Sequence, residues 1–179
     1  MRATSEIARG RRKAAPISPV KILLLQLKRL GDLILTTPAI AALGQSFPDA
    51  RLTLVVSNEC AQLLPAISNL DQILVARRSL RDLGLFSSIA GKKFDYCIDF
   101  TRNDRSAFLT LLSSARRRIT SYRVRDQSKT RARLYTDLVR VRVRDRHTID
   151  YNLALLEPLG VHVVRCQVRC PLVPLCRMP

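Results

Sequence analysis

The sequence predicts an α/β fold built around a mostly parallel sheet. Short aliphatic runs alternate along the chain with segments whose apolar residues recur at helical spacing. The first run, ILLLQL, is apolar along almost its whole length, as in a strand that is buried on both faces. The segment after it has apolar Ile34, Leu35, Ala39, Ala42 and Leu43 at helical spacing. A strand followed by a helix is the first half of a βαβ unit, the connection that joins parallel strands.

The same patterns assign the later elements. Strands are predicted over 22–27, 51–56, 72–76 and 94–100, with a basic-faced strand through Val139, Val141 and Val143. Helices are predicted over 59–64, over 79–90 with Ser79 as cap, after Asn103 or Thr101, and over 148–159. The helix after residue 103 is expected to bury a stripe of Phe108, Leu111, Leu112 and Ala115, and Arg116, Arg117 and Arg118 to follow at its end. Residues 120–136 lack periodicity and are predicted to form a long loop.

Composition restricts the class of protein and its partners. A chain of 179 residues has room for one domain with a proper core. The formal net charge is +17, from 31 basic and 14 acidic residues, so anionic partners are expected. Tryptophan is absent and aromatic residues make up only 5%, without the mixing of aromatic and basic residues that stacks bases. No specific nucleic-acid partner is therefore expected.

The cysteines and the N-terminal segment indicate a cytoplasmic protein. Five cysteines are an odd number in a chain that needs no disulfides, which favours a reducing compartment. Residues 1–18 are charged and lack the apolar core of a secretory signal, so we expect a disordered basic tail. His162, Cys166, Cys170 and Cys176 match no common zinc spacing, and no metal site is predicted.

The turn after the first strand holds the strongest candidate for chemistry. Ligands of open α/β sheets bind beyond the carboxyl ends of the strands, where Gly31 and Asp32 are expected to lie. Gly31 is predicted to give the turn a strained or positive-φ conformation and to let a ligand approach the backbone. Asp32 is either a first-turn carboxylate that stabilises a helix or a general base that faces the cleft.

A second group of candidates lies at the start of the helix after the fourth strand. Arg102, Asn103 and Arg105 flank a helix N-terminus, which together with two arginines makes an anion site. Lys28 and Arg29 are further candidates, and Arg123, Arg125, Arg131 and Arg133 are loop arginines that could grip phosphates. In a chain this basic, solvated surface arginines are the alternative.

The order of several sequence blocks resembles glycosyltransferase family 9. The blocks are RLGD at 29–32 with ILTTPAI at 34–40, FPDARLTLVV at 47–56, FDY at 94–96, RSA at 105–107, and the segment 147–160. Together they cover residues 21–160. The best-known members of this family are the ADP-heptose:lipopolysaccharide heptosyltransferases.

This resemblance implies a fold, a reaction and roles for residues. It implies a Rossmann-like domain over residues 19–165, the N-terminal, acceptor-binding half of a two-domain GT-B enzyme. The reaction implied is inverting transfer of a heptose or related sugar from a nucleotide sugar, ADP-heptose, to the lipopolysaccharide inner core. Asp32 would be the catalytic base, and Lys28, Arg29, Gly31, Arg102, Asn103 and Arg105 the acceptor-binding residues.

The resemblance also implies what lies outside the chain. The donor nucleotide would be bound by a C-terminal domain, towards which residues 166–179 form a cut linker, so no cofactor is expected in this chain. Alone, the chain is expected to be inactive, and its basic face to hold it peripherally at an anionic inner membrane surface. Two alternatives remain open: a non-catalytic module that binds polyanions such as nucleic acid or anionic lipid, and a relic without function.

Overall fold

A six-stranded parallel sheet organises the chain. The computed structural model describes residues 19–67, 69–77, 82–141 and 147–161. The strands are β1 Lys21–Gln26, β2 Arg51–Ser57, β3 Gln72–Ala76, β4 Tyr96–Asp99, β5 Arg117–Ser121 and β6 Asp137–Val139. Their order is β3-β2-β1-β4-β5-β6, and every neighbouring pair is parallel. This is the Rossmann-like order, in which the chain reverses its direction of travel across the sheet between β1 and β4.

Helices cover both faces of the sheet. They are α1 Leu30–Ile34, α2 Thr37–Ser46, α3 Leu83–Ala90, α4 Asp104–Leu112, α5 Arg123–Gln127, α6 Lys129–Ala132 and α7 Thr148–Ala154, with 3₁₀ helices at Asn58–Ala66 and Glu157–Leu159. One core layer joins the sheet to α1, α2 and α7, and the other joins it to α3 and α4. The fold is thus a three-layer α/β domain, as the sequence predicts.

Strand β1 supplies side chains to both core layers. Ile22 and Leu24 pack with α1, α2 and α7, whereas Leu23 and Leu25 pack with α3 and α4. All four side chains are fully buried. An aliphatic run without polar alternation is what a strand between two helical layers requires.

Most predicted strands are confirmed to within one or two residues. The predicted first helix is instead two helices, because the chain turns at Leu35 and Thr36 before the second begins at Thr37, with Pro38 in its first turn. Cys97, predicted to be a small apolar residue inside a strand, is a fully buried free thiol, and burial raises its pKa to about 12.

The predicted buried stripe of α4 is wrong at two of its three large residues. Phe108 and Leu111 are 49% and 51% exposed. The residues of α4 that pack inward are mostly small or carry hydroxyl groups: Ser106, Ala107, Leu109 and Thr110. Thr110 satisfies its hydroxyl within the helix, by donating to the Ser106 carbonyl at 2.8 Å, so a polar residue is buried without penalty.

The predicted long loop at 120–136 is also wrong. This segment completes β5 and contains α5 and α6, and Arg117 and Arg118 belong to β5 instead of following a helix. Val124, Ala132 and Tyr135 bury a small core of their own, which explains why the helices form in a sequence without a regular apolar period.

The C-terminal part of the domain agrees with its prediction. The helix predicted over 148–159 is α7 followed by the second 3₁₀ helix, and Gly160 ends it with a left-handed φ of 77°. Predictions for residues 1–18, for Ser79 and Val143, and for the cysteine-containing segment 162–179 lie outside the described residues.

Candidate functional site

A cleft of about 680 Å³ opens at the carboxyl edge of the sheet. It lies beside the reversal point between β1 and β4, the place where sheets of this order bind ligands. Its lining comes from the ends of β1, β2 and β3 and from the starts of α1, α4 and the first 3₁₀ helix: Leu27, Lys28, Arg29, Asp32, Ser57, Asn58, Glu59, Ala76, Arg77, Asn103 and Arg105. The described lining contains four basic and two acidic side chains, so the cleft favours an anionic ligand.

Asp32 lies in the first turn of α1 and lines this cleft. Its side chain is 36% exposed, and Oδ1 lies 3.9 Å from Lys28 Nζ. That separation is at the outer limit of an ion pair and leaves the carboxylate accessible. A carboxylate that is reachable from a cleft and has only a distant cation beside it can accept a proton from a bound hydroxyl group.

A buried polar network fixes the backbone of Asp32. The Asp32 carbonyl accepts hydrogen bonds from Thr36 Oγ1 at 2.7 Å and from Gln26 Nε2 at 3.3 Å. Gln26 Nε2 also donates to Thr36 Oγ1, and Asn152 Nδ2 from α7 donates to the Leu35 carbonyl at 3.0 Å. The end of β1 and α7 therefore hold the helix that carries the carboxylate.

Lys28 is half-buried beside Asp32. Burial lowers its pKa below the ordinary lysine value, and the nearby Arg102 cation lowers it further, while Asp32 opposes the change. Its carbonyl accepts a hydrogen bond from Ser57 Oγ at 3.1 Å, which ties the turn after β1 to the end of β2. Arg29 is exposed at the N-cap position of α1 and also lines the cleft.

The prediction of a positive φ at Gly31 is wrong. Gly160 is the positive-φ glycine among the described residues, and Gly31 lies within helix α1. A Cβ atom placed on Gly31 would meet no atom within 4 Å, so the space beside it is open. Gly31 is not among the lining residues of the cleft.

Among the sequence-predicted site residues, it is Arg102 that has a left-handed backbone, with a φ of 65°. This residue follows Asp99, whose fully buried carboxylate organises the turn between β4 and α4. Oδ1 of Asp99 accepts hydrogen bonds from the backbone N–H groups of Thr101 at 2.7 Å and Arg102 at 3.0 Å. Oδ2 accepts from Ser106 Oγ at 2.7 Å and from Tyr135 Oη at 2.5 Å. Four donors thus define the turn conformation.

The two titratable members of this network affect each other. Burial raises the pKa of Asp99, and the hydrogen bond from Tyr135 opposes that change most strongly. The pKa of Tyr135 is raised by burial and by the neighbouring Asp99, so its hydroxyl remains a donor.

The side chain of Arg102 contacts α7 and does not line the cleft. Its Nη1 donates to the Tyr151 hydroxyl of α7, and its guanidinium carbon lies 5.2 Å from the centre of the Tyr151 ring. The Arg102 carbonyl accepts a hydrogen bond from Arg131 Nη1 at 2.9 Å. Arg102 thus connects the turn before α4 to α6 and α7. It is not one of the residues that line the cleft.

Asn103 and Arg105 both line the cleft. Asn103 caps α4 by accepting from the Ser106 N–H at 2.8 Å, and Ser106 Oγ reciprocates in a capping box. Thr101, the alternative cap, instead ties β1 to β4, because its hydroxyl accepts from the Leu27 N–H at 2.7 Å. Arg105 forms an ion pair with the buried Asp82, which holds the guanidinium at the cleft wall.

Four polar lining residues were not among the predicted site residues: Ser57, Asn58, Glu59 and Arg77. Ligands bind beyond the carboxyl ends of parallel strands, which is the rule that selected Asp32. The same rule applies to these four residues, since each ends or follows a strand that is parallel to β1. Ser57 and Asn58 also have the residue types that cap helices, and they directly precede the helix predicted over 59–64. Of the loop arginines, Arg131 pairs with Asp104 at 3.2 Å, and none lines the cleft.

Comparison with known proteins finds relatives by sequence and proteins of similar fold by structure. Lipopolysaccharide heptosyltransferase 3 of Escherichia coli K12 is 28% identical over 139 residues, which are 73% of this chain and 40% of that protein. A solved structure of glycosyl transferase family 9 from Veillonella parvula matches 80% of the chain with a TM-score of 0.63 and 24% identity. The resemblance to glycosyltransferase family 9 is confirmed. No family model matches the chain.

Other solved structures share the fold of this chain. E. coli heptosyltransferase WaaC with ADP has a TM-score of 0.69 at 20% identity and matches 83% of this chain and 50% of WaaC. WaaC has also been solved with ADP-2-deoxy-2-fluoro heptose, with a TM-score of 0.70. The chain spans 40% of the length of the curated relatives it matches.

Two kinds of feature are missing from the described part of the chain. Among residues 19–67, 69–77, 82–141 and 147–161, no group of His, Cys, Asp and Glu side chains is arranged to hold a metal ion. Within the same residues, no helix combines the length and apolarity needed to cross a bilayer.

Proposed function

We propose that this chain is the acceptor half of an inverting glycosyltransferase that adds a heptose or related sugar to the lipopolysaccharide inner core. The observation that supports the proposal most directly is Asp32, an accessible carboxylate in a basic cleft at the reversal point of a family 9 fold. The names of the sequence relatives supply the sugar and the acceptor.

In the proposed reaction, an acceptor hydroxyl attacks the anomeric carbon of the donor sugar. Asp32 takes the hydroxyl proton as the new carbon–oxygen bond forms, and the bond to the diphosphate breaks on the opposite side of the carbon. One displacement inverts the anomeric centre, and the nucleoside diphosphate leaves. General-base catalysis of this kind is typically worth roughly 10²- to 10⁴-fold in rate.

Lys28, Arg29, Asn103 and Arg105 are proposed to hold the acceptor. Three of these side chains are cationic and all four line the cleft, which suits the carboxylates and phosphates of an inner-core sugar. Arg102 and Gly31 remain acceptor candidates only through the family resemblance. In this proposal, Arg105 contributes a fixed guanidinium because Asp82 holds it.

The donor is proposed to be ADP-heptose, bound outside this chain. Solved relatives in fold contain ADP or an ADP-heptose analogue, and the curated relatives extend well beyond the matched region. The proposal places the reaction in the cytoplasm, peripherally at the inner membrane. The buried free thiols of Cys60 and Cys97 accord with a reducing compartment.

The test is a transfer assay with ADP-heptose and a lipopolysaccharide-core acceptor. The chain is assayed alone and together with the separately produced donor-binding part of E. coli heptosyltransferase 3. We expect transfer only in the mixture, and a loss of roughly 10²- to 10⁴-fold with Asp32→Asn. Asp126→Asn, a first-turn aspartate of α5 outside the cleft, is the matched control and should retain the rate of the parent chain.

Two results would refute the proposed roles. Transfer by Asp32→Asn at the parent rate would remove Asp32 as the base. An inactive mixture, with both parts folded and the donor part shown to bind ADP, would favour the second candidate, a non-catalytic module that binds polyanions. The net charge of +17 supports that alternative, which predicts salt-sensitive binding to any polyanion that does not depend on Asp32.

A further inference from the structure

The outer face of α3 and α4 is unusually apolar. Of the five large apolar side chains that are exposed in the described part of the chain, three lie on these two helices. Leu83 is 67% exposed, and Phe108 and Leu111 are about half exposed. Phe86 of α3 meets Phe108 of α4 edge to face, with ring centres 5.5 Å apart, which joins the two helices into one surface. Leu83, Phe86, Phe108 and Leu111 are called the α3–α4 face.

This face also lacks charge. Helix α3 has the sequence LGLFSSIA without a charged residue, and α4 carries charge only in its first turn, at Asp104 and Arg105. In the chain as a whole, 25% of residues are charged. A helix on a protein surface ordinarily presents charged side chains opposite its buried stripe. Two adjoining helices that present leucine, phenylalanine, serine and glycine instead have the composition of a docking surface.

Exposed basic residues border the face at one end, and ion-paired arginines border it at the other. Lys93 and Arg116 are exposed just beyond the C-termini of α3 and α4. Arg105 lies one turn before Phe108, held by Asp82, and Asp104 beside it pairs with Arg131 at 3.2 Å. An apolar centre bordered by cations matches a bilayer surface with anionic headgroups.

We propose that the α3–α4 face docks on an anionic lipid bilayer, inserting Leu83, Phe108 and Leu111 among the lipids. Net charge distinguishes this occupant from a second copy of the chain. Two copies would each bring a formal charge of +17, whereas an anionic surface attracts that charge. The docked face would also set the position of the cleft, because α4 begins at the cleft wall with Asn103 and Arg105.

This docking deepens the proposed function, since it would bring the cleft to a membrane-borne acceptor, but its test involves no sugar transfer. The full 179-residue chain is sedimented with vesicles of phosphatidylcholine, with or without phosphatidylglycerol. We expect binding to the anionic vesicles, and a drop of about tenfold or more in the partition coefficient for the triple variant Leu83→Ser, Phe108→Ser, Leu111→Ser.

Two control proteins separate docking from folding. Phe108→Leu with Leu111→Met keeps the face apolar and should bind anionic vesicles within about twofold of the parent chain. The exposure of all three side chains predicts that the serine variant remains folded, which thermal unfolding checks. Should it unfold, Leu83→Ser alone, at the most exposed position, is expected to lower binding by about threefold.

Two outcomes would overturn the inference. Binding of the folded serine variant at the parent level would mean that basic residues alone attract the chain to lipid. Concentration-dependent self-association of the parent chain that the serine variant loses, without vesicle binding by the parent chain, would assign the face to a second copy. Asp32→Asn should bind vesicles like the parent chain, so failure of the transfer reaction and failure of docking are observed separately.

Discussion

Asp32 and Asp99 end up at the same edge of the sheet, yet their surroundings are opposite. Asp32 follows β1, is about one third exposed and has one cation at 3.9 Å. Asp99 ends the neighbouring strand β4, is fully buried and accepts four hydrogen bonds. The difference shows how one edge can hold both a candidate catalyst and the framework around it. A carboxylate whose acceptor sites are all occupied cannot receive a substrate proton, whereas one that faces a cleft can.

The largest effect on stability should come from Asp99→Ala. Removing this carboxylate leaves two backbone N–H groups and two hydroxyls without their buried acceptor. We expect a loss of about 3 kcal/mol or more in the free energy of unfolding, measured by urea denaturation. The matched change Asp32→Ala should alter stability by about 0.5 kcal/mol or less. Equal losses from the two variants would contradict the comparison.

Tyr135→Phe tests one donor of the Asp99 network. The substitution removes the hydroxyl that donates to Asp99 Oδ2 at 2.5 Å and leaves the buried ring in place. We expect a loss of about 1.5 kcal/mol, because hydrogen bonds to charged groups are the stronger ones. Tyr122→Phe is the control, since it keeps the ring beneath Arg140 and should change stability by about 0.5 kcal/mol or less. An unchanged free energy of unfolding in Tyr135→Phe would show that the hydroxyl does not stabilise the fold.

A third aspartate, Asp137, shows how much an ion-paired carboxylate near the surface contributes to stability. Arg117 lowers the pKa of Asp137 by donating to both of its oxygens, at 2.7 and 3.2 Å. The stabilisation by this pair is therefore complete above the ordinary aspartate pKa and is lost as the pH falls through the lowered value. We expect Arg117→Gln to cost about 0.5 to 1 kcal/mol at neutral pH, and this difference to shrink in acid.

Unfolding curves at several pH values measure this effect. Arg116→Gln, which removes an exposed arginine next in the chain, is the control and should show no such pH dependence. A cost of Arg117→Gln that stays constant into acid would show that the hydrogen bond to the Pro158 carbonyl, and not Asp137, is responsible.

The last comparison concerns ligand binding, for which we expect a pH dependence of acceptor affinity through Lys28. Burial lowers the pKa of Lys28, so its cation is intact below that pKa and is lost as the pH rises, earlier than for an ordinary lysine. Affinity for a phosphorylated core acceptor should fall roughly threefold to tenfold on the alkaline side. Lys28→Arg should abolish this decline, and Lys129→Arg, an exposed control, should not. An unchanged pH profile in Lys28→Arg would remove Lys28 from the acceptor site.

The sequence predicted the strands well because burial on both faces is a local signal. The strands at 22–27 and 51–56 needed no knowledge of distant residues. Helix α4 was less predictable, because hydroxyl groups that bond to their own helix can be buried and thereby free Phe108 and Leu111 to face outward. The segment 120–136 was missed because its helices are stabilised by a small core and not by an extended apolar stripe.

Part of the candidate site was predictable from local sequence patterns, because these patterns give the strands and their order. Asp32, Asn103 and Arg105 follow strands that run parallel, so their meeting at one edge follows from strand order alone. Arg102 has the same position in the sequence pattern, but Tyr151, 49 residues further along the chain, draws its side chain away. Ser57, Glu59 and Arg77 could have been predicted by considering the carboxyl ends of β2 and β3 as well as those of β1 and β4.

By itself, the sequence determined the parallel α/β sheet, its family resemblance and the placement of Asp32 at the binding edge. These features follow from local apolar patterns and the order of strands, which neighbouring residues encode. Only the tertiary structure decided which carboxylate is accessible, where Arg102 and Arg105 point, and which face of α4 stays exposed. Such outcomes depend on partners far away in the chain, as the hydrogen bond between Asp99 and Tyr135 shows across 36 residues.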